Sequence, residues 1–192
     1  MKNLLPFEGI VYYYPGLITN PDQAFNRLLQ EIPWEHEKLK MFGKEITMRR
    51  MVSSHGDPGV NYSYSGMLKK PQPWNDTLVK IKDVAEVACA TQFNSCLANL
   101  YADGRDAMGW HADNERSLGK DPMIASISLG ATRKFSFRHN DTGETVSIEL
   151  ESGSLLVMGP GVQLHWKHAL PASAKAKQPR INLTFRTIFP NL

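Results

Sequence analysis

The run Gly109-Trp110-His111-Ala112-Asp113-Asn114-Glu115 sets an imidazole and a carboxylate two residues apart. On a β-strand, residues i and i+2 project from one face, so His111 and Asp113 can aim at a single point. A second imidazole is available from Leu164-His165-Trp166-Lys167-His168, which also reads as a strand. Two histidines and one carboxylate on one face of an octahedron leave the other positions open, the arrangement associated with non-haem Fe(II) oxygenases. A His-x-Asp pair by itself is a weak signal, because surface histidines near aspartates are common. The reading depends on what surrounds the pair.

Two further strands carry polar side chains in alternation. In Asn99-Leu100-Tyr101, Asn99 and Tyr101 share a face. In Arg180-Ile181-Asn182-Leu183-Thr184-Phe185-Arg186, the polar row is Arg180, Asn182, Thr184 and Arg186, and the alternate row is apolar. An apolar row packed outward against helices leaves the polar row facing a barrel interior. Interior arginines are costly unless paired with anions. Asp113 supplies one anion, and a dicarboxylate ligand gripped bidentately by guanidinium would supply another. The alternatives are an edge strand with one solvated face for Arg180 and Arg186, and hydrogen-bonded structural roles for His165 and His168.

These residues need a scaffold. From Ser95 onward, segments of five to nine residues rich in Val, Ile, Phe and Thr are separated by Gly, Asp, Asn and Pro. They lie at 95–101, 107–112, 123–129, 132–139, 144–150, 154–158, 163–170 and 180–188. Such a succession predicts a jelly-roll or barrel, mainly β with flanking helices. Upstream, Val11 to Tyr14 reads as extended. A helix opens at Asn20-Pro21, carries Phe25, Leu28, Leu29 and Ile32 at helical spacing, and stops before Pro33. A second helix, capped by Asn75 or Asp76, runs to about Ala90 with Leu78, Ile81, Val84, Ala85 and Ala88 on one face. Between them, Trp34 to Pro73 is irregular and interrupted by Gly and Pro, which predicts short strands and loops of the kind that form lids. The expected organisation is one domain, with helices and lid over 1–94 and the β core over 95–192.

The chain has 192 residues, ample for one core, and no apolar run approaches the roughly 20 residues of a membrane span. Met1 to Gly9 makes a poor secretory signal. Cys89 and Cys96 form neither a disulfide framework nor a zinc knuckle, so a reducing cytoplasm is the expected compartment. The net charge is +3, but between His36 and Lys70 seven basic residues face three acidic ones. That window is interleaved or flanked by Trp34, Phe42, Tyr62, Tyr64 and Trp74. It suits a surface that neutralises phosphates and stacks on bases, the alternative being an ordinary solvated face. A monomer is expected.

With these residues in view, the chain resembles the AlkB family of Fe(II)/2-oxoglutarate dioxygenases. The resemblance covers most of the chain and is densest from Asn99 to Arg186. It rests on Asn99-x-Tyr101, His111-x-Asp113-x-Glu115, Ile124-Ala125-Ser126-Ile127-Ser128-Leu129-Gly130, His168-Ala169-Leu170-Pro171 and Pro179-Arg180-Ile181-Asn182-Leu183-Thr184-Phe185-Arg186. Asn61-Tyr62-Ser63-Tyr64-Ser65-Gly66 and Met41-Phe42-Gly43-Lys44 are closer to the duplex-DNA branch than to the single-strand-preferring bacterial founder. The resemblance implies a double-stranded β-helix. It implies Fe(II) held by His111, Asp113 and His168, and 2-oxoglutarate held by Asn99, Tyr101, Arg180, Asn182 and Arg186, with Arg180 on the far carboxylate and Arg186 nearer Asp113. Dioxygen is the co-substrate. For substrate it implies a flipped alkylated base against Tyr64 and Glu115, with Tyr62 and Ser65 nearby and Phe42 as the wedge in the duplex. The implied reaction is oxidative demethylation of 1-methyladenine and 3-methylcytosine in DNA. The alternatives are a hydroxylase of RNA or protein, and a non-catalytic nucleic-acid-binding barrel.

Overall fold

Alternation in β13 (Arg180–Arg186) organises the molecule. Its apolar row, Ile181, Leu183 and Phe185, is fully buried against a helical layer that includes Leu28, Ile32, Leu78, Ile81 and Ala85. Each such side chain contributes about 1.5–3 kcal/mol by leaving water. The polar row points the other way, into the space between two sheets. The interior reading of the arginine strand therefore holds, and the solvated-edge alternative does not.

The computed structural model describes residues 2–41, 44–60, 62–64, 67–69 and 71–189, and at 37–41, 44–46, 62–64 and 67–69 it describes the backbone only. The helical layer is α1 (Pro21–Glu31) and α2 (Asp76–Cys89). Proline sits at the start of α1, where a missing N–H costs nothing. Asn75 caps α2 by accepting the Leu78 N–H at 2.8 Å, and Ala90 closes it in the left-handed conformation at φ 49°.

The larger sheet has seven strands. It joins β1 (Val11–Tyr14), β11 (Ser154–Met158), β8 (Ile124–Gly130), β13, β6 (Ser95–Tyr101), β3 (Lys44–Gly56) and β2 (Glu35–Met41), in that order. The smaller joins β10 (Thr145–Leu150), β9 (Arg133–His139), β12 (Trp166–Leu170) and β7 (Met108–His111). Strand pairing within both sheets is antiparallel. A second core of Phe135, Phe137, Leu156, Trp166 and Leu170 fills part of the space between them. The result is a jelly-roll with helices on one outer face. The β4 (Tyr62–Tyr64) and β5 (Met67–Lys69) pair forms a separate small hairpin.

Two expectations change. β3 is one strand of 13 residues rather than short pieces. Its helix-side residues include Ser53 and His55, both buried, so polarity hides the alternation a sequence reader looks for. The expected strand 163–170 begins only at Trp166, and α3 (Val162–His165) makes one helical turn before it. That turn follows Gly161, which takes φ 83° and reverses the chain.

Candidate active site

β7 and β12 are neighbours in the smaller sheet, and their register sets His111 directly opposite His168. The two rings lie 4.3 Å apart, edge to face. Asp113 follows two residues beyond the end of β7, with its N–H donated to Gln163 Oε1 at 2.8 Å. One ligating atom from each of His111, Asp113 and His168 lies within 4.8 Å of the others. His111 Nδ1 is 2.8 Å from the Gly109 carbonyl, so the proton sits on Nδ1 and donates there. Nε2, 3.9 Å from Asp113 Oδ1, is left with its lone pair. This is the orientation by which proteins prepare a histidine for a metal.

Protonation states agree. Burial pushes His168 down to about 4 against the pull of Asp113, so the ring is neutral at neutral pH. Burial would raise the Asp113 carboxyl, but Arg186, then His168 and His111, outweigh it and hold the group below its ordinary value. Arg186 Nη2 donates to Asp113 Oδ2 at 3.1 Å. Two imidazoles and one carboxylate, with a second carboxylate oxygen steadied by Arg186, fit a divalent cation that takes nitrogen and oxygen ligands.

The arginine row extends the site. Across β6, β13 and β8, Asn99, Asn182 and Ser128 stand abreast, and Tyr101 and Arg180 form the next rank. Asn182 Nδ2 donates to Ser126 Oγ at 2.8 Å, Thr184 Oγ1 to Asn182 Oδ1 at 3.0 Å, and Arg180 Nη2 to Ser128 Oγ at 2.8 Å. Asn99, Tyr101, Ser126, Arg180, Asn182 and Thr184 line one cavity together with His111, Asp113 and His168. Asn99 Oδ1 and Arg180 Nε are buried in it without hydrogen-bond partners among the described residues. Burial, with Arg133 nearby, draws Arg180 down to about 10 although Tyr101 opposes the shift. A buried cation with unused donors is a site for an anion, and a keto dicarboxylate fits both the charge and the adjoining metal ligands.

A second cluster, Glu8, His139 and His165, also has ligating atoms within 4.8 Å. Its hydrogen bonding has the wrong sense for a metal. His139 Nδ1 accepts the N–H groups of Asp141 and Thr142 at 3.3 and 3.2 Å, so its proton is on Nε2 and donates to Glu8 Oε2 at 2.8 Å. That ring has no lone pair left for an ion, and the cluster acts as a clamp on the N-terminal arm.

All eight residues expected to hold metal and keto acid thus converge. Sequence reasoning assigned no role to Ser126, Ser128 or Gln163. The serines had a signal, since they alternate inside the otherwise apolar Ile124–Gly130; Gln163, which meets Asp113 only through the fold, had none. Glu115 is half-buried at the start of a 3-10 turn (Arg116–Leu118) and does not line the cavity. Phe42 and Ser65 fall outside the described residues. The backbones of Tyr62 and Tyr64 lie on β4, opposite Lys69 and Met67, and their side chains are also outside the described set.

Comparison with known proteins agrees with this geometry. The family described as the 2OG-Fe(II) oxygenase superfamily matches residues 10–186. DNA oxidative demethylase ALKBH2 of Mus musculus is 41% identical over 197 residues, covering 95% of this chain and 82% of that protein. Alpha-ketoglutarate-dependent dioxygenase alkB homolog 3 of Homo sapiens is 36% identical, covering 94% and 67%. The solved structure of OsALKBH1 shares the fold, with a TM-score of 0.64 at 21% identity over 92% of this chain and 97% of that one. Members of the superfamily use Fe(II), 2-oxoglutarate and dioxygen, for which this cavity has the donors. The chain belongs to the AlkB family of the 2OG-Fe(II) oxygenase superfamily.

Proposed function

We propose that the protein is a DNA oxidative demethylase acting on N-alkylated bases such as 1-methyladenine and 3-methylcytosine. The observation that carries this reading is the convergence of His111, Asp113 and His168 beside a buried arginine row, in a chain similar to proteins named for that activity. Bound there, Fe(II) and 2-oxoglutarate supply the oxidation of a methyl C–H by dioxygen, with succinate, carbon dioxide and formaldehyde as by-products.

The residues supply position and charge. His111, Asp113 and His168 hold the metal, and Arg186 keeps Asp113 aligned and ionised. Arg180 meets the far carboxylate of the keto acid, with Asn99, Tyr101 and Asn182 along its length. Phe135 lies against the His168 ring at 5.5 Å and, with Leu170, limits water on that side. A base methylated on its pairing edge is cationic and poorly paired, which lowers the cost of flipping it out. The face of Tyr64 and the carboxylate of Glu115 would receive such a cation. Phe42 would fill the gap left in the duplex, and the basic stretch 36–70 would hold phosphates. Cys89 and Cys96 are free thiols, which a reducing cytoplasm would keep so; a monomer is part of this proposal. No helix among the described residues is long and apolar enough to cross a membrane.

The test is incubation with Fe(II), ascorbate, 2-oxoglutarate and an oligonucleotide bearing 3-methylcytosine, read by mass spectrometry. Loss of one methylene unit is expected. An unchanged DNA oligonucleotide, with an RNA counterpart demethylated or 2-oxoglutarate consumed alone, would overturn the DNA assignment.

A further inference from the structure

Arg133 opens β9 with 2% of its surface exposed. No carboxylate among the described residues pairs with it. Its guanidinium instead binds main-chain carbonyls, Nη1 to Asp103 O at 3.3 Å and Nη2 to Asp106 O at 2.8 Å and Pro171 O at 2.9 Å. These carbonyls belong to two loops. Residues 102–107 lead from β6, with Asn99 and Tyr101, to β7, with His111. Residues 171–179 lead from β12, with His168, to β13 and its arginine row.

The loops are also joined to each other. Gly104 donates to Ala176 O at 2.8 Å, and Ser173 donates to Gly104 O at 2.8 Å. The approach is so close that a Cβ at position 104 would overlap the Ser173 carbonyl. Finally, Arg133 Cζ lies 6.0 Å from the centroid of the Tyr101 ring, and Arg180 Cζ lies 5.4 Å from the same ring. Two guanidinium groups therefore bear on one aromatic ring, one from the cavity lining and one from the loop junction behind it.

We propose that Arg133 is a positioning residue for 2-oxoglutarate, fixing both loops and the Tyr101 ring so that Tyr101 and Arg180 meet the acid's far carboxylate together. It does not touch the acid, and it acts through Tyr101 and the loop junction. A main-chain carbonyl triad needs the planar fork of arginine. Lysine offers a single ammonium and cannot reproduce three bonds in that plane. The inference rests on the proposed function's assignment of the cavity to a keto dicarboxylate.

The experiment measures binding, not turnover. Titration calorimetry under argon, with Mn(II) in place of Fe(II), gives the affinities for Mn(II) and for 2-oxoglutarate in wild type, Arg133→Lys and Arg133→Met. Circular dichroism melts establish that each variant is folded, and the lysine variant carries the test if methionine prevents folding. The expected result is about tenfold weaker 2-oxoglutarate binding, the loss of one or two charge-assisted hydrogen bonds' worth of order, with Mn(II) affinity within twofold of wild type. A loss for 2-oxoglutarate smaller than about threefold, or an equal loss for Mn(II), would overturn it, since a merely structural arginine loosens both sites alike. A wild type that binds Mn(II) but no 2-oxoglutarate would instead sink the assignment of the cavity.

Discussion

Asp113 shows at the residue scale how one side chain can serve a metal and a fold at once. It stays ionised in a buried place because Arg186 and two imidazoles favour the charge. Asp113→Asn is expected to abolish Fe(II) binding and, by removing the carboxylate to which Arg186 Nη2 donates, to cost about 3 kcal/mol in urea unfolding of the apoprotein. Arg180 has the opposite balance, a buried cation without a carboxylate until the keto acid arrives. Arg180→Met should stabilise the apoprotein by about 1–3 kcal/mol in urea unfolding. Wild type is expected to melt higher with 2-oxoglutarate, and the same change should remove that rise; an apoprotein less stable than wild type would contradict this account. His55 is a further buried polar group, with Nδ1 donating to Pro73 O at 2.9 Å and Nε2 accepting from Ser53 Oγ at 3.1 Å. Burial lowers its pKa although the Pro73 bond opposes this. The unfolded chain therefore takes up the proton first, so stability is complete above about pH 6.5 and falls as the pH drops below it. Urea midpoints between pH 7 and 5 should show that fall, and His55→Leu should reduce it.

At the scale of elements, β13 is the part whose two faces the chain specifies most plainly. Leu183→Ala is expected to cost about 2–5 kcal/mol, measured by urea unfolding, because the void would lie between the sheet and two helices. β3 is opaque for the converse reason: Ser53 and His55 are buried on the helix-facing side, and their hydrogen bonds rather than their hydropathy make burial acceptable. The turn α3 was likewise hidden, since Val162 to His165 read as well for a strand as for a helical turn until Gly161 reverses the chain. Between elements, the junction at Gly104 is equally exacting. Gly104→Ala should weaken 2-oxoglutarate binding more than Mn(II) binding in calorimetry, because the two loops behind Tyr101 must part to admit a methyl group.

For the whole molecule, two sheets bring together residues separated by some seventy positions, as with Asp113 and Arg186. The basic stretch 36–70 belongs to this scale, since phosphate contacts add over a surface. Binding of DNA is expected to weaken steeply with salt, measured by fluorescence anisotropy between low and physiological ionic strength. Tyr64→Ala should lower demethylation while leaving Mn(II) and 2-oxoglutarate affinities unchanged in calorimetry. Phe42→Ala should impair repair of duplex more than of single strands, and equal losses would remove the wedge.

Periodicity and residue chemistry pointed to the jelly-roll strands, to the outward and inward rows of β13, and to His111, Asp113, His168 and the polar rows as candidates, because alternation and ligand type are local properties; the resemblance to the AlkB family divided those candidates into metal ligands and keto-acid ligands. Only the tertiary structure decided that His111 lies opposite His168, that Gln163 receives the Asp113 N–H, and that Arg133 joins two loops behind Tyr101. Those depend on strand register and on contacts between distant segments, which no local pattern encodes. The same is true of the choice between the two histidine–carboxylate clusters. Their composition is alike, and the direction of the hydrogen bonds at each Nδ1 separates a metal site from a clamp.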